Sequence, residues 1–306
     1  MLPQPSNVPL RLLSSQQLSL TDRFLSDYFS QYIAPYFVVL DGQGNPYRDV
    51  VLASTQQYPG LKNAVKAASS AHLYQRGLVP STQTFGYIEE VLRNIHSLSI
   101  DRGPARSLHL TTVLLLAITE IIIGGEIPHL YAMVKSLVID RAYPATLPGG
   151  LEGFARTQLQ LFQLFTEPFF DTTLGKAMLI EFMQGERDGL YFSTQETALR
   201  DILKMAGSLL LQDNQDDLLI SMQQSIRDYQ QTGRSDHALV WAYFIGAAVS
   251  RERESRVFFL SLLRAVYERT KFGNILQAIN LIESIPPGQV RSWQGYLEDK
   301  EPFFIL

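Results

Sequence analysis

Leu61 to Tyr74, LKNAVKAASSAHLY, decides the fold class. Leu61, Ala64, Val65, Ala68 and Ala71 recur at intervals of three and four, which gathers them on one face of a helix. Gly77 and Pro80 then end it. The same spacing recurs outward in both directions. It predicts helices near 20–32, 84–98, 108–123, 129–141, 151–166, 173–184, 194–211, 214–231, 235–249, 254–271 and 274–284. Ser193 and Glu196 stand at capping-box spacing. Asp41 to Pro46, DGQGNP, reads as a turn. Sustained period-two alternation is almost absent and no fixed repeat emerges. The expected architecture is all-α, an irregular multi-helix array. Residues 1–18, rich in Pro, Ser and Gln, read as a flexible leader. Residues 19–306 read as a single helical domain, with AYPATLPGG at 142–150 as a possible hinge.

Composition narrows the function. The chain has 306 residues, 46% hydrophobic and 18% charged, enough for a substantial core. Its formal net charge is -4, and no cluster of Lys and Arg offers a phosphate-binding face. Arg251 to Arg256, RERESR, alternates in sign and reads as a solvated helix start with internal ion pairs. Direct nucleic-acid binding is therefore not expected. Zero cysteines exclude disulfides, thiolate zinc sites and cysteine nucleophiles within this sequence. The N-terminal MLPQPSNVPLRLL lacks the apolar core of a signal peptide. Leu108 to Ile123 contains His109, Thr111, Thr112, Thr119 and Glu120, and falls short of the ~20 apolar residues that span a bilayer. It reads as a buried central helix. The expectation is a soluble, intracellular protein with no membrane segment.

Motifs for familiar chemistry are weak. Ser235, Asp236 and His237 are adjacent, a spacing that denies them the facing geometry of a triad, and they read as an N-cap turn. His72, His96, His109, His129 and His237 lack the pairing that puts two metal ligands on one helical face, so no metal and no cofactor is expected. Asp213, Asp216 and Asp217 suit a helix start, where carboxylates complement the macrodipole. Gly42-Gln43-Gly44 lacks the remaining parts of a phosphate loop. The aromatics are more suggestive. With 17 Phe and 14 Tyr, clusters such as Phe162, Phe165, Phe169 and Phe170, or Trp241, Tyr243 and Phe244, could line an apolar pocket between helices.

Two segments carry a resemblance. Tyr28 to Leu52, YFSQYIAPYFVVLDGQGNPYRDVVL, contains Asn45-Pro46-Tyr47-Arg48. Leu239 to Phe272, LVWAYFIGAAVSRERESRVFFLSLLRAVYERTKF, contains Trp241, Gly246 and Arg256 and runs into Phe272-Gly273-Asn274. Between them lie Ala67 to Leu73, with its small-residue spine and Ala-His-Leu ending, and Glu120 to Gly124. This ordered succession, from about Asp22 to Ile285, resembles the fungal-specific transcription factor domain, the helical regulatory half of zinc-binuclear-cluster activators. The chain departs from that pattern at Glu126, where a Trp is usual, and at Ala132-Met133, in place of Gly-Ala. The six cysteines of the DNA-reading module are absent.

The resemblance implies a stand-alone or excised effector domain of a transcription regulator, nuclear or cytoplasmic. It would bind a small apolar molecule or a partner protein, act on DNA through a DNA-binding partner, and could form a homodimer. Phe162, Phe165, Phe169, Trp241, Phe244 and Met133 are the candidate ligand contacts. The alternative is a cofactor-independent cyclase or isomerase of a terpenoid or polyketide, in which an apolar pocket orients the substrate and a donor polarises a carbonyl. His129, Tyr131, Tyr243 and His237 are its candidate donors, with Glu120 as a buried acid.

Overall fold

The computed structural model describes residues 15–38, 41, 44–97, 104–125, 150–170, 172–185, 197–211 and 216–285. They form α1 (Ser15–Tyr32), a 3-10 turn (Ala34–Tyr36), a π-helical turn (Tyr47–Leu52), α2 (Pro59–Gln75), α3 (Ser81–Ser97) and α4 (Pro104–Ile123). There follow α5 (Gly150–Phe170), α6 (Thr172–Gln184), α7 (Thr197–Leu211), α8 (Asp216–Gln231), a second 3-10 turn (His237–Leu239), α9 (Val240–Val249), α10 (Arg253–Thr270) and α11 (Gly273–Ser284). No strand occurs among the described residues, so the array is all-α.

α2 is the hub of the N-terminal part, packed against α1, α3 and α4. Its composition explains this. Ala64, Ala67, Ala68, Ala71, Ser69 and Ser70 are all buried, and side chains this small let neighbouring helices approach closely. The two hydroxyls find partners: Ser69 Oγ donates to the Leu25 carbonyl at 2.8 Å, and Ser70 Oγ lies 2.9 Å from Thr84 Oγ1. In the C-terminal part α9 takes the same place, against α7, α10 and α11. Gly246 on α9 makes room for Phe259 of α10; a Cβ there would stand 2.5 Å from the ring. α4 joins the two parts by packing on α2, α5 and α11.

The join between α4 and α11 is a contact of backbones. Gly124 takes φ +77°, and its N–H and that of Gly125 both donate to the Glu120 carbonyl, at 2.8 and 2.9 Å. A Cβ on Gly124 would stand 2.9 Å from the Gly273 carbonyl carbon, and one on Gly273 would collide with the Ile123 carbonyl. The carbonyls left over at the end of α4 are taken up by glutamines from both flanks. Gln75 donates to Ile123 at 2.6 Å and Gln277 donates to Gly124.

Several boundaries differ from the sequence reading. α1 begins at Ser15, inside the stretch expected as leader. α4 begins at Pro104, so it is longer than the 108–123 run. Arg106–Ile123 is long and apolar enough to cross a membrane by length and composition, although 78% of it is buried inside the protein. α5 continues through Pro168 to Phe170. The π-helical turn had no period to announce it. Arg256 is the clearest correction. It is 6% exposed, not solvated, and its guanidinium donates to the carbonyls of Ile282 and Ile285, the latter at 2.6 Å. It thereby caps the C-terminal end of α11. The expected helix at 129–141, the hinge apart from Gly150, Asp213 and the Ser193–Glu196 capping pair lie outside the described residues.

Candidate functional site

A cavity of about 100 Å³ lies between the two parts. Leu114, Ile118 and Ile121 of α4 form one wall, and Gln158, Leu161, Phe162 and Phe165 of α5 another. Both sets follow helical spacing, so each helix presents a single stripe to the space. Leu203 of α7 contributes from the side, and Tyr36, Phe37, Val38 and Tyr47 close the N-terminal edge. His237, Ala238 and Trp241 close the C-terminal edge.

The N-terminal edge is held by hydrogen bonds rather than by regular structure. Asn45 Nδ2 donates to the Ala34 carbonyl at 3.1 Å, while its Oδ1 accepts from the Tyr47 N–H at 2.9 Å. Arg48 binds Asp41 through two nitrogens, at 2.7 and 2.9 Å, and the Ser30 carbonyl at 2.9 Å. Tyr47 Oη donates to Gln158 Oε1 at 2.9 Å, tying this edge to α5. Phe37 stacks on Phe272 with ring centres 5.5 Å apart, and Tyr36 meets both Phe272 and His237 edge-on.

His237 bridges the two edges. Its Nε2 lies 2.6 Å from the Val38 carbonyl, which can only accept, so Nε2 carries the proton. Nδ1 of the neutral ring then accepts from Ser235 Oγ, 2.6 Å away. Burial holds its pKa below the ordinary histidine value, which keeps it neutral. Asp236 does not complete a triad. It accepts from Tyr243 Oη at 3.3 Å and from Arg269, and it makes no side-chain cap on the 3-10 turn it precedes. The expected N-cap role is therefore replaced by an ion pair reaching α10.

Trp241 differs from its neighbours. It is 2% exposed, and its Nε1–H has no hydrogen-bond partner among the described residues. Leaving such a donor buried and unpaired costs about 1–3 kcal/mol. The Phe165 ring lies 5.3 Å away at 54°, so the two aromatics pack against one another beside the cavity.

Of the residues singled out from sequence, Phe162, Phe165, Trp241 and His237 line this space. Phe169 and Phe244 instead pack on each other, 6.1 Å apart, away from the lining. Tyr243 is engaged with Asp236, and burial drives its pKa far up. Glu120 is off the cavity too, folded against Gly125, with burial raising its carboxyl pKa. His129, Tyr131 and Met133 lie outside the described residues. Tyr36, Phe37, Gln158 and Leu203 were not anticipated, because nothing in their local sequence marks them out. Among the described residues no group of three or more His, Cys, Asp or Glu is placed to hold a metal ion.

The profile of the fungal specific transcription factor domain matches residues 23–166 and 194–285, well over half of the chain. The chain belongs to this family. Neither a search of curated proteins nor one of solved structures found a match. The family points to a regulatory role in transcription. In this fungal transcription factor domain the separate sequence motifs converge in space. Asn45 to Arg48 holds the cavity's N-terminal edge, and His72 at the end of α2 donates to the Thr270 carbonyl at 2.6 Å. Glu120 to Gly124 abuts Gly273, and Phe272 stacks on Phe37.

Proposed function

We propose that the domain is the effector module of a nuclear transcription regulator, and that it responds to a small apolar molecule held in the cavity beside Trp241. The observation that carries this reading is the cavity's position. Its rim is formed by residues 36–47 on one side and 237–241 on the other, so an occupant touches both ends of the fold. Binding changes the balance between arrangements of these ends only if the occupant prefers one of them, and a space that closes around it supplies that preference. The chain carries no cysteine and no basic cluster, so DNA is reached through a partner protein or a separate module.

The cyclisation reading has less support. Pockets that hold drug-sized ligands run to about 300–1,000 Å³, whereas this cavity offers about 100 Å³. Among the described candidates, Tyr243 and Glu120 lie off the cavity and both nitrogens of His237 are engaged.

The test is binding of cyclopentane, a shape-only probe, followed by methyl chemical shifts and thermal stability of the full chain. Wild type should bind, with shifts confined to the lining, and Ala238→Leu, which fills the space, should not. Absence of binding to the folded wild type would remove the proposal.

A further inference from the structure

We infer that the side-chain amide of Gln158 reads the cavity's occupant and links it to the N-terminal edge. Its Nε2–H donates to an oxygen acceptor, such as a ketone or ether, on a small neutral molecule. This rests on the cavity being a binding site, and goes further by naming the recognising group and the route by which the edge senses occupancy.

Gln158 stands on the α5 stripe with Leu161, Phe162 and Phe165, on the side that lines the space. Its Oε1 accepts from Tyr47 Oη at 2.9 Å, and Tyr47 lines the same space from the N-terminal edge. The carboxamide is therefore held at the cavity wall. The contact also fixes which way round the amide lies. Turned over, it would leave the proton of Tyr47, a residue 3% exposed, without an acceptor. Nε2, on the other arm, has no hydrogen-bond partner among the described residues. It is also within reach: Gln158 is partly exposed, and the buried, unpaired nitrogen on this lining is Trp241 Nε1, not Gln158 Nε2. The remaining polar groups demand less of an occupant. Both nitrogens of His237 are engaged, and the Tyr36 hydroxyl can either donate or accept. No Lys, Arg, Asp or Glu lines the space, so an ion would lose its hydration without gaining a counter-charge. Size sets the last limit. An apolar cavity of about 150 Å³ accepts benzene, so about 100 Å³ suits a molecule of roughly four to six non-hydrogen atoms. An acceptor on Nε2 polarises the amide and strengthens Oε1 as the partner of Tyr47, so occupancy tightens the tie between α5 and the N-terminal edge.

Cyclopentanone and cyclopentane, nearly equal in shape, differ in the acceptor. In ¹⁵N spectra of the full chain, the Gln158 side-chain amide is assigned through its own backbone signals. Cyclopentanone should move that amide downfield, and cyclopentane should not. The affinity ratio of ketone to alkane is then followed through wild type, Tyr47→Phe and Tyr47→Phe/Gln158→Met, where no freed tyrosine proton can replace the lost donor. The ratio should fall at the first step, because the untied amide can turn. By the double variant it should be roughly threefold to tenfold below wild type, the loss of one net hydrogen bond. Tyr36→Phe should keep the wild-type ratio; a fall there would give the role to the Tyr36 hydroxyl. A ratio constant through the series, with no ketone-dependent amide shift, would overturn Gln158 as the reader while leaving the cavity as a binding site. A fall only at the second step would overturn the link to the edge. Binding of neither probe would overturn the site itself. The wild-type amide shift stands as a test even where the double variant does not fold.

Discussion

His72 and His237 share one hydrogen-bond pattern, and it makes the fold sensitive to acid. His72 is 1% exposed; its Nε2–H donates to the Thr270 carbonyl and its Nδ1 accepts from Tyr28 Oη at 3.2 Å. Burial lowers its pKa to about 4. The unfolded chain takes up this proton near 6.5 and the folded chain only near 4, so the stability His72 contributes is complete above 6.5 and is lost as pH falls between these values. From neutrality to about pH 5 the loss is about 2 kcal/mol. Glu120, whose carboxyl is raised by burial, acts in the opposite sense, so the informative quantity is a difference between variants. Urea unfolding at pH 7 and pH 5 should show a markedly smaller drop in His72→Gln than in wild type; an equal drop would show that His72 does not stay neutral. The sequence showed that His72 lacks a second metal ligand on its helical face, and its core hydrogen bonds to Tyr28 and Thr270 come from the fold. Arg256 it concealed, because a buried Arg that caps another helix has the same local sequence, charges alternating with Glu, as an exposed one.

Helix positions were legible from periodicity, whereas helix junctions were not. A junction depends on which atoms of distant segments meet, and glycine marks such places only when the partner is known. Three glycines give a graded test. Gly273→Ala meets the Ile123 backbone, which cannot turn aside, so α11 must move off α4; a cost of about 3 kcal/mol or more is expected. Gly246→Ala meets the Phe259 ring, and Phe259→Leu should recover part of its loss by vacating the space. Gly86 lies within α3 and a Cβ there meets nothing within 4 Å. Gly86→Ala should therefore stabilise the protein by about 0.5–1 kcal/mol through helix propensity. Chemical denaturation of the set would expose a wrong junction as a Gly273→Ala no worse than neutral.

At the scale of the molecule, the cavity could not be read from sequence, because its walls come from five regions between residues 36 and 241 and only the fold brings them together. The aromatic richness of Phe162, Phe165 and Trp241 pointed towards it, but equally towards Phe169 and Phe244, which pack elsewhere. The same geometry makes the N-terminal edge a control point. Asn45 lies outside the lining, yet it fixes the backbone of Ala34 and Tyr47 on that edge. Asn45→Ala removes three hydrogen bonds, to Ala34, Asp41 and Tyr47, each worth about 0.5–1.5 kcal/mol, and so raises the population in which the edge has opened. Only the closed population binds, and apparent affinity falls in proportion to it. Cyclopentane should therefore bind Asn45→Ala several-fold more weakly than wild type, roughly threefold or more. At a concentration one hundred times its Kd, the ligand should stabilise wild type by about 2.7 kcal/mol, roughly 4–8 °C in Tm. At that same concentration the variant should gain less. A folded Asn45→Ala domain with wild-type affinity would mean that the edge is rigid without its asparagine and that occupancy of the cavity is not coupled to the N-terminal end of the fold.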